Sequence, residues 1–165
     1  MPRFAPVRTR AERILCSFVP APVTVQIATE ATPALADAFA TLIPQLSRSS
    51  PPPTLAEIDE MIRSQASDVL VTVDSETGAV LGTLTLVVFR IPTGVRAWIE
   101  DVVVDDAARG RGVGEALNQL ALATARSKGA KTVDLTSRPS REAANRLYQR
   151  IGFVARETNI YRYDL

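Results

Sequence analysis

The stretch WIEDVVVDDAARGRGVGEAL, Trp98–Leu117, decides how this chain is built. A β-branched apolar run ends in Asp105 and Asp106. A loop then carries Arg109, Gly110, Arg111, Gly112 and Gly114, and helical spacing begins. The first N–H groups of a helix have no partner inside it, and the helix dipole adds partial positive charge there. Glycines remove the β-carbons that would mask those amides, and arginines bring donors that match phosphate oxygens. The stretch therefore reads as a strand feeding a phosphate or pyrophosphate cradle at the head of a helix. The plainer alternative is a tight strand-to-helix turn with solvated arginines.

Working outward, Val23–Ala28 alternates and is β-branched, which predicts a first strand. Thr32-Pro33 offers a cap followed by proline at the first helical position, opening a helix to about Gln45. Thr54 and Glu57 have capping-box spacing, opening a second helix to about Gln65. Between them SRSSPPPT, Ser47–Thr54, reads as a loop, because three prolines cannot continue a helix. Asp68–Asp74 and Ala79–Arg90 are strands around the hairpin signal SETG, and Val95–Asp105 follows after IPTG as their antiparallel neighbour. From Gly112 the period becomes helical, with Lys128 in the last turn and Gly129 at the closing position. Lys131–Ser137 is a strand. Ser140 can cap a further helix whose Ala144, Leu147, Tyr148 and Ile151 share a face. GFVARE and NIYRYDL are expected to close the chain as two more strands.

Composition narrows the chemistry. A formal net charge of +1 over 165 residues gives no electrostatic case for nucleic acid or an acidic membrane surface. No apolar run approaches the ~20 residues that span a bilayer. Cys16 is the single cysteine and there is no histidine, so an intrachain disulfide, Ser/His or Cys/His catalysis and histidine-ligated zinc are all excluded. No metal site is expected. Residues 1–22, with Arg3, Arg8, Arg10 and Arg13 among four prolines, read as a frayed N-terminal extension with a short helix near Ala11–Phe18, a targeting peptide being the alternative. Residues 23–165 read as one domain.

The kind of anion is a separate question. A nucleotide P-loop needs lysine and then serine or threonine after its last glycine, but Gly114 precedes Glu115. A Rossmann cradle is the better rival, with Asp134 placed 20 residues beyond Gly114. Glu115 nevertheless stands where its third glycine belongs, and the loop arrives after antiparallel strands rather than at the first βα unit.

With these residues in place the sequence resembles the GNAT superfamily of acyl-CoA-dependent N-acetyltransferases. The pyrophosphate loop of that family, Q/R-x-x-G-x-G/A, is matched by RGRGVG through Arg109, Gly112 and Gly114. Its second signature, A-x-x-L-Y-x-x-x-G-F, is matched by ANRLYQRIGF through Ala144, Leu147, Tyr148, Gly152 and Phe153. The resemblance runs from about Val23 to the C-terminus. It implies an α/β (α+β) fold: a mixed, mostly antiparallel sheet of six to seven strands, helices on both faces, and splayed central strands.

It also implies acetyl-CoA as cosubstrate, with its pyrophosphate on the amides of Arg111, Gly112, Val113 and Gly114, helped by Arg109 and the Gly110 turn. The backbone of Val102, Val103 and Val104 would pair with the pantetheine arm, much as an added strand would. Tyr148 would protonate the departing thiolate. Many members hold the cofactor with an asparagine where this chain has Arg141, so Ser140, Arg141 or Arg138 would anchor it here. Tyr148 also has a packing reading, as an aromatic on an apolar stripe.

The acceptor amine must lose a proton, and without histidine the stretch IED supplies the carboxylates. Strand alternation puts Glu100 and Asp101 on opposite faces. Glu100, sharing its face with Trp98 and Val102, is the expected base or amine-binding group, and an exposed ion pair is the alternative. The segment around IEDVVVDD is also similar to glucosamine-6-phosphate N-acetyltransferases, whereas TSRPSREAANRLYQR is more similar to bacterial members of broad acceptor specificity. The expected activity is direct acetyl transfer from acetyl-CoA to a primary amine of a small molecule or peptide, in the cytoplasm. A homodimer could cover the C-terminal strand edges. A non-catalytic acyl-CoA sensor and a Rossmann-like nucleotide binder are the competing functions.

Overall fold

Thr32 and Thr54 start the first two helices through their own side chains, as local chemistry requires. In the computed structural model, which describes residues 22–165, Thr32 Oγ1 accepts from the Leu35 amide at 3.2 Å and Pro33 opens α1, Pro33–Leu46. At α2, Leu55–Arg63, the capping box is complete. The Glu57 carboxylate accepts from the Thr54 N–H at 2.7 Å, and the Glu57 amide donates to Thr54 Oγ1 at 3.3 Å. The expected N-terminal extension, its short helix and Cys16 lie outside the described residues, apart from Pro22.

The sheet has five strands in the order β1-β2-β3-β4-β5. These are β1 Val23–Ile27, β2 Ser67–Asp74, β3 Val80–Ile91, β4 Gly94–Val104 and β5 Val133–Leu135. The first four pair antiparallel, and β5 joins β4 in parallel after the crossover helix α3, Val113–Ser127. Helix α4, Glu142–Arg150, follows.

The pleat sends alternate side chains to two cores. On one face Leu70, Leu84, Leu86, Ala97 and Ile99 pack with Val113, Leu117, Ala121 and Ala125 of α3. On the other, Val69 and Val71 pack with Leu35, Phe39, Ile43 and Ile58 of α1 and α2. The close seat of α3 needs Gly82, since a β-carbon there would lie 2.8 Å from the Val103 carbonyl oxygen and 2.9 Å from Val113 Cγ1.

Two expectations are corrected. The sheet is smaller than six to seven strands, because GFVARE and NIYRYDL form no regular structure. Alternation supplies strand propensity, but a strand also needs a ladder partner, and β5 is only three residues long. Val154, Ile160, Tyr161 and Tyr163 accordingly stay exposed. Ser140 does not cap α4; Arg141 occupies the cap position without a side-chain cap hydrogen bond.

The splay of the central strands is present. β5 pairs with β4 only through Ala97, Trp98 and Ile99. Beyond Ile99, no described strand covers that side of Glu100–Val104.

Candidate active site

A single 3₁₀ turn, Asp106–Ala108, carries the chain out of β4, and the glycine loop follows. Gly110 and Gly112 sit at φ of +79° and +78°, the left-handed region that glycine enters without steric cost. Gly112 is the cap of α3 and provides no side-chain hydrogen bond, so the first turn of that helix is uncapped. The first intrahelical bond runs from the Ala116 amide to the Gly112 carbonyl at 2.9 Å.

Three loop residues have duties that the sequence concealed. The Arg111 amide already donates to the Ala108 carbonyl at 3.3 Å. Its guanidinium bonds Asp74 Oδ2 at 2.7 Å, with only 19% and 7% of the two side chains exposed. Arg111 is therefore a tie to the β2–β3 turn and not a solvated arginine. Gly114 serves packing, since a β-carbon there would meet Leu147 Cδ2 of α4 at 3.1 Å. Arg109 is exposed and pairs with Asp106 at 2.5 Å.

Asp74 shows the strongest electrostatic signature in the loop's surroundings. The Arg111 guanidinium, followed by the Thr77 and Glu76 amides, holds its carboxyl down to about 2. The two amides donate to Asp74 Oδ1 at 3.0 Å each, so one aspartate organises the hairpin turn and grips the glycine loop.

Tyr148 is fixed by the way α4 ends. The Phe153 amide donates to the Tyr148 carbonyl at 2.9 Å and the Gly152 amide to the Gln149 carbonyl at 3.1 Å, with Gly152 at φ +104°. This paired closure is a Schellman motif, and its usual apolar contact is Phe153 edge-on to Tyr148, centroids 5.9 Å apart at 71°. The G-F of the second signature thus immobilises the ring. Tyr148 is 8% exposed, and its hydroxyl has no hydrogen-bond partner among the described residues. Burial pushes its pKa up, against the opposing charge of Arg141, so the phenol keeps its proton at neutral pH. It lines an open cavity of about 1060 Å³ together with Trp98, Leu135, Ser137, Asn145 and Phe153.

At the head of α4, Asn145 Nδ2 donates to the Arg138 carbonyl at 3.0 Å, and Arg141 Nη2 donates to the Leu46 carbonyl of α1 at 3.1 Å. Ser140 is exposed.

The carboxylates differ most from expectation. Thr83 pairs with Val103, but Thr85 pairs with Glu100, so β4 carries one extra residue between them. Asp101 takes up this bulge at φ +50°, outside the usual range for a residue with a β-carbon. The alternation shifts by one at this point. Val102 and Val104 turn to the α3 core with Ile99, so Val102 does not share a face with Glu100. Cross-strand partners share a face, which places Glu100 beside Thr85. Asp101 lines a second cavity, of about 340 Å³, with Thr83 and Thr85. Both carboxylates thus belong to the α1–α2 side of the sheet, and the expectation of opposite faces fails because a bulge cancels the period of two. Neither forms an ion pair or side-chain hydrogen bond with a described residue. Among the described residues, no group of three or more histidine, cysteine, aspartate or glutamate side chains is arranged to hold a metal ion. No described helix is long and apolar enough to cross a membrane.

Comparison with known proteins places this geometry. The family model "Acetyltransferase (GNAT) family" matches residues 35–153. The chain is 37% identical over 114 residues to a glucosamine 6-phosphate N-acetyltransferase of Trypanosoma brucei brucei, covering 67% of this chain and 75% of that protein. It is 31% identical over 141 residues to glucosamine 6-phosphate N-acetyltransferase 1 of Oryza sativa subsp. japonica, covering 78% and 82%. A crystal structure of a Trypanosoma brucei acetyltransferase superposes with a TM-score of 0.71 at 28% identity, over 87% of this chain and all of that one.

Proposed function

Since the chain belongs to the GNAT family of N-acetyltransferases, we propose that residues 23–165 act as one domain that transfers acetyl from acetyl-CoA to a primary amine in a single ternary complex. The observation that carries this reading is the opening in the sheet. On the side away from β3, β4 leaves Glu100–Val104 without a described strand neighbour, shortly before an uncapped helix start. The residues present fit the cosubstrate. An uncapped first turn suits a pyrophosphate, and unpaired strand backbone suits a chain of amides.

Acetyl-CoA supplies the thioester that is cleaved. The amides that follow Gly112 bind the anionic end, with Arg109 at the rim and Arg111 holding the loop in shape through Asp74. The backbone of Val102, Val103 and Val104 aligns the pantetheine arm, and Ser140 and Arg141 flank it at the head of α4. Glu100 takes the proton from the amine. The C–N bond forms as the C–S bond breaks, and the Tyr148 hydroxyl gives its proton to the leaving thiolate. With no histidine in the chain, Glu100 acts as that base directly or through a relayed water.

Thiol release from acetyl-CoA with a panel of primary amines tests the reading, run beside thermal shifts with CoA and with NAD. Stabilisation by CoA together with amine-dependent thiol release is expected. Stabilisation by CoA with no turnover on any amine would identify an acyl-CoA sensor instead. Stabilisation by NAD alone would point to a nucleotide binder.

A further inference from the structure

The second cavity, of about 340 Å³, combines apolar walls with carboxylates. It lies between the α1–α2 loop and the β4 bulge, and Phe39, Ile43 and Met61 give it apolar walls. Among the described residues, its charged lining is Asp101 and Glu57, with no lysine or arginine. Thr83 also lines it. That residue is only 3% exposed, and its hydroxyl has no hydrogen-bond partner among the described residues. A hydroxyl with no internal partner is free to pair with a polar group bound in the cavity.

Resting on the acetyltransferase reading above, we propose that this cavity takes a small primary amine that carries a positive charge and an apolar carbon frame, held through Asp101 and Thr83, and that it disfavours phosphorylated amines. Among the described residues, a phosphate placed here would meet two carboxylates and no lysine or arginine. An ammonium would meet Asp101, which has no competing ion pair among the described residues, while the Thr83 hydroxyl accepts a hydrogen bond from it. The Glu57 carboxylate, although engaged by Thr54, adds to the negative field and keeps its charge, because the Thr54 N–H and hydroxyl lower its pKa. Arg141, which reaches the end of α1, bonds the Leu46 carbonyl and is not a wall of the cavity. A volume of about 340 Å³ is at the small end for ligand pockets, which suits a short amine. The strained bulge is what delivers the carboxylate, since a regular strand would turn position 101 to the α3 core.

The test compares 1,5-diaminopentane and 2-phenylethylamine with glucosamine 6-phosphate as acceptors, at saturating acetyl-CoA. Expected is a kcat/KM at least tenfold higher for the diamine than for the sugar phosphate. Asp101→Asn should lower the diamine value at least tenfold through KM, with the KM for acetyl-CoA unchanged. Asparagine tolerates the left-handed conformation, so this variant keeps the bulge. Thr83→Val should raise the same KM severalfold. Preferential turnover of glucosamine 6-phosphate, or an unchanged diamine KM in Asp101→Asn, overturns the acceptor assignment and leaves acetyl transfer standing. Absence of thiol release with every amine overturns both.

Discussion

The glycine loop and the β4 bulge both bring the backbone into the left-handed region beside the candidate site, and they do so with opposite chemistry. At Gly112 the conformation is free of charge to the residue, and the space around its α-carbon is open. At Asp101 a β-carbon is carried into the same region and a carboxylate is delivered to a cavity wall. The first turn exposes backbone and the second re-aims a side chain. A turn of the first kind has to be written in glycine, and so it can be read from sequence. A turn of the second kind needs no special residue, and only its strand pairing reveals it.

The largest effect is expected at the group meant to serve both turns. If they frame one reaction centre, Tyr148→Phe should lower kcat on the order of a hundredfold, the range for loss of a general acid. The KM for acetyl-CoA should stay within about twofold. An unchanged kcat across the pH profile would return Tyr148 to a packing role against Phe153.

Next comes a direct contrast in stability. Gly112→Ala should cost about 1–2 kcal/mol in urea unfolding, from conformation alone, and raise the KM for acetyl-CoA. Asp101→Gly should change stability by less than about 0.5 kcal/mol, as relief at the bulge offsets the added freedom of the unfolded chain. Its KM for the amine should nevertheless rise. Equal stability losses in the two variants would break the comparison.

The smallest effect on turnover is expected from Asp74→Asn, whose loss falls on stability instead, because it removes the carboxylate that holds Arg111. The folded-state pKa of Asp74 is depressed to about 2 from 3.8, so the stability it contributes is present above pH 3.8 and lost as pH falls through about 2. Wild type should therefore show an acid-side decline in Tm across that window, and Asp74→Asn should flatten it. A variant with the wild-type slope would remove Asp74 from the acid response.

The helix starts at Thr32 and Thr54, the αL closure at Gly129 and the hairpin turn at SETG were legible because each is settled within a few residues. The two signatures around Arg109–Gly114 and Ala144–Phe153 were legible for the same reason. The Schellman closure gives the second of them a physical meaning. Misread were the terminal strands, whose alternation has no partner to satisfy, and the α4 cap, where Ser140 stands one position too early. Asp74 carried a turn signal but no sign of Arg111, which is 37 residues away.

By itself, then, the sequence determined the order of elements as far as α4, the glycine loop at the head of α3, the tyrosine at the end of α4 and the exclusion of histidine and intrachain disulfide chemistry. These follow from local conformational preference and from residue inventory. Tertiary structure alone decided that Arg111 is a tie and that Gly114 seats Leu147. It alone decided that Glu100 and Asp101 share one side of the sheet. The physical reason is pairing: a single unmatched residue between Thr83 and Thr85 on one strand and Glu100 and Val103 on the other reverses every face assignment beyond it.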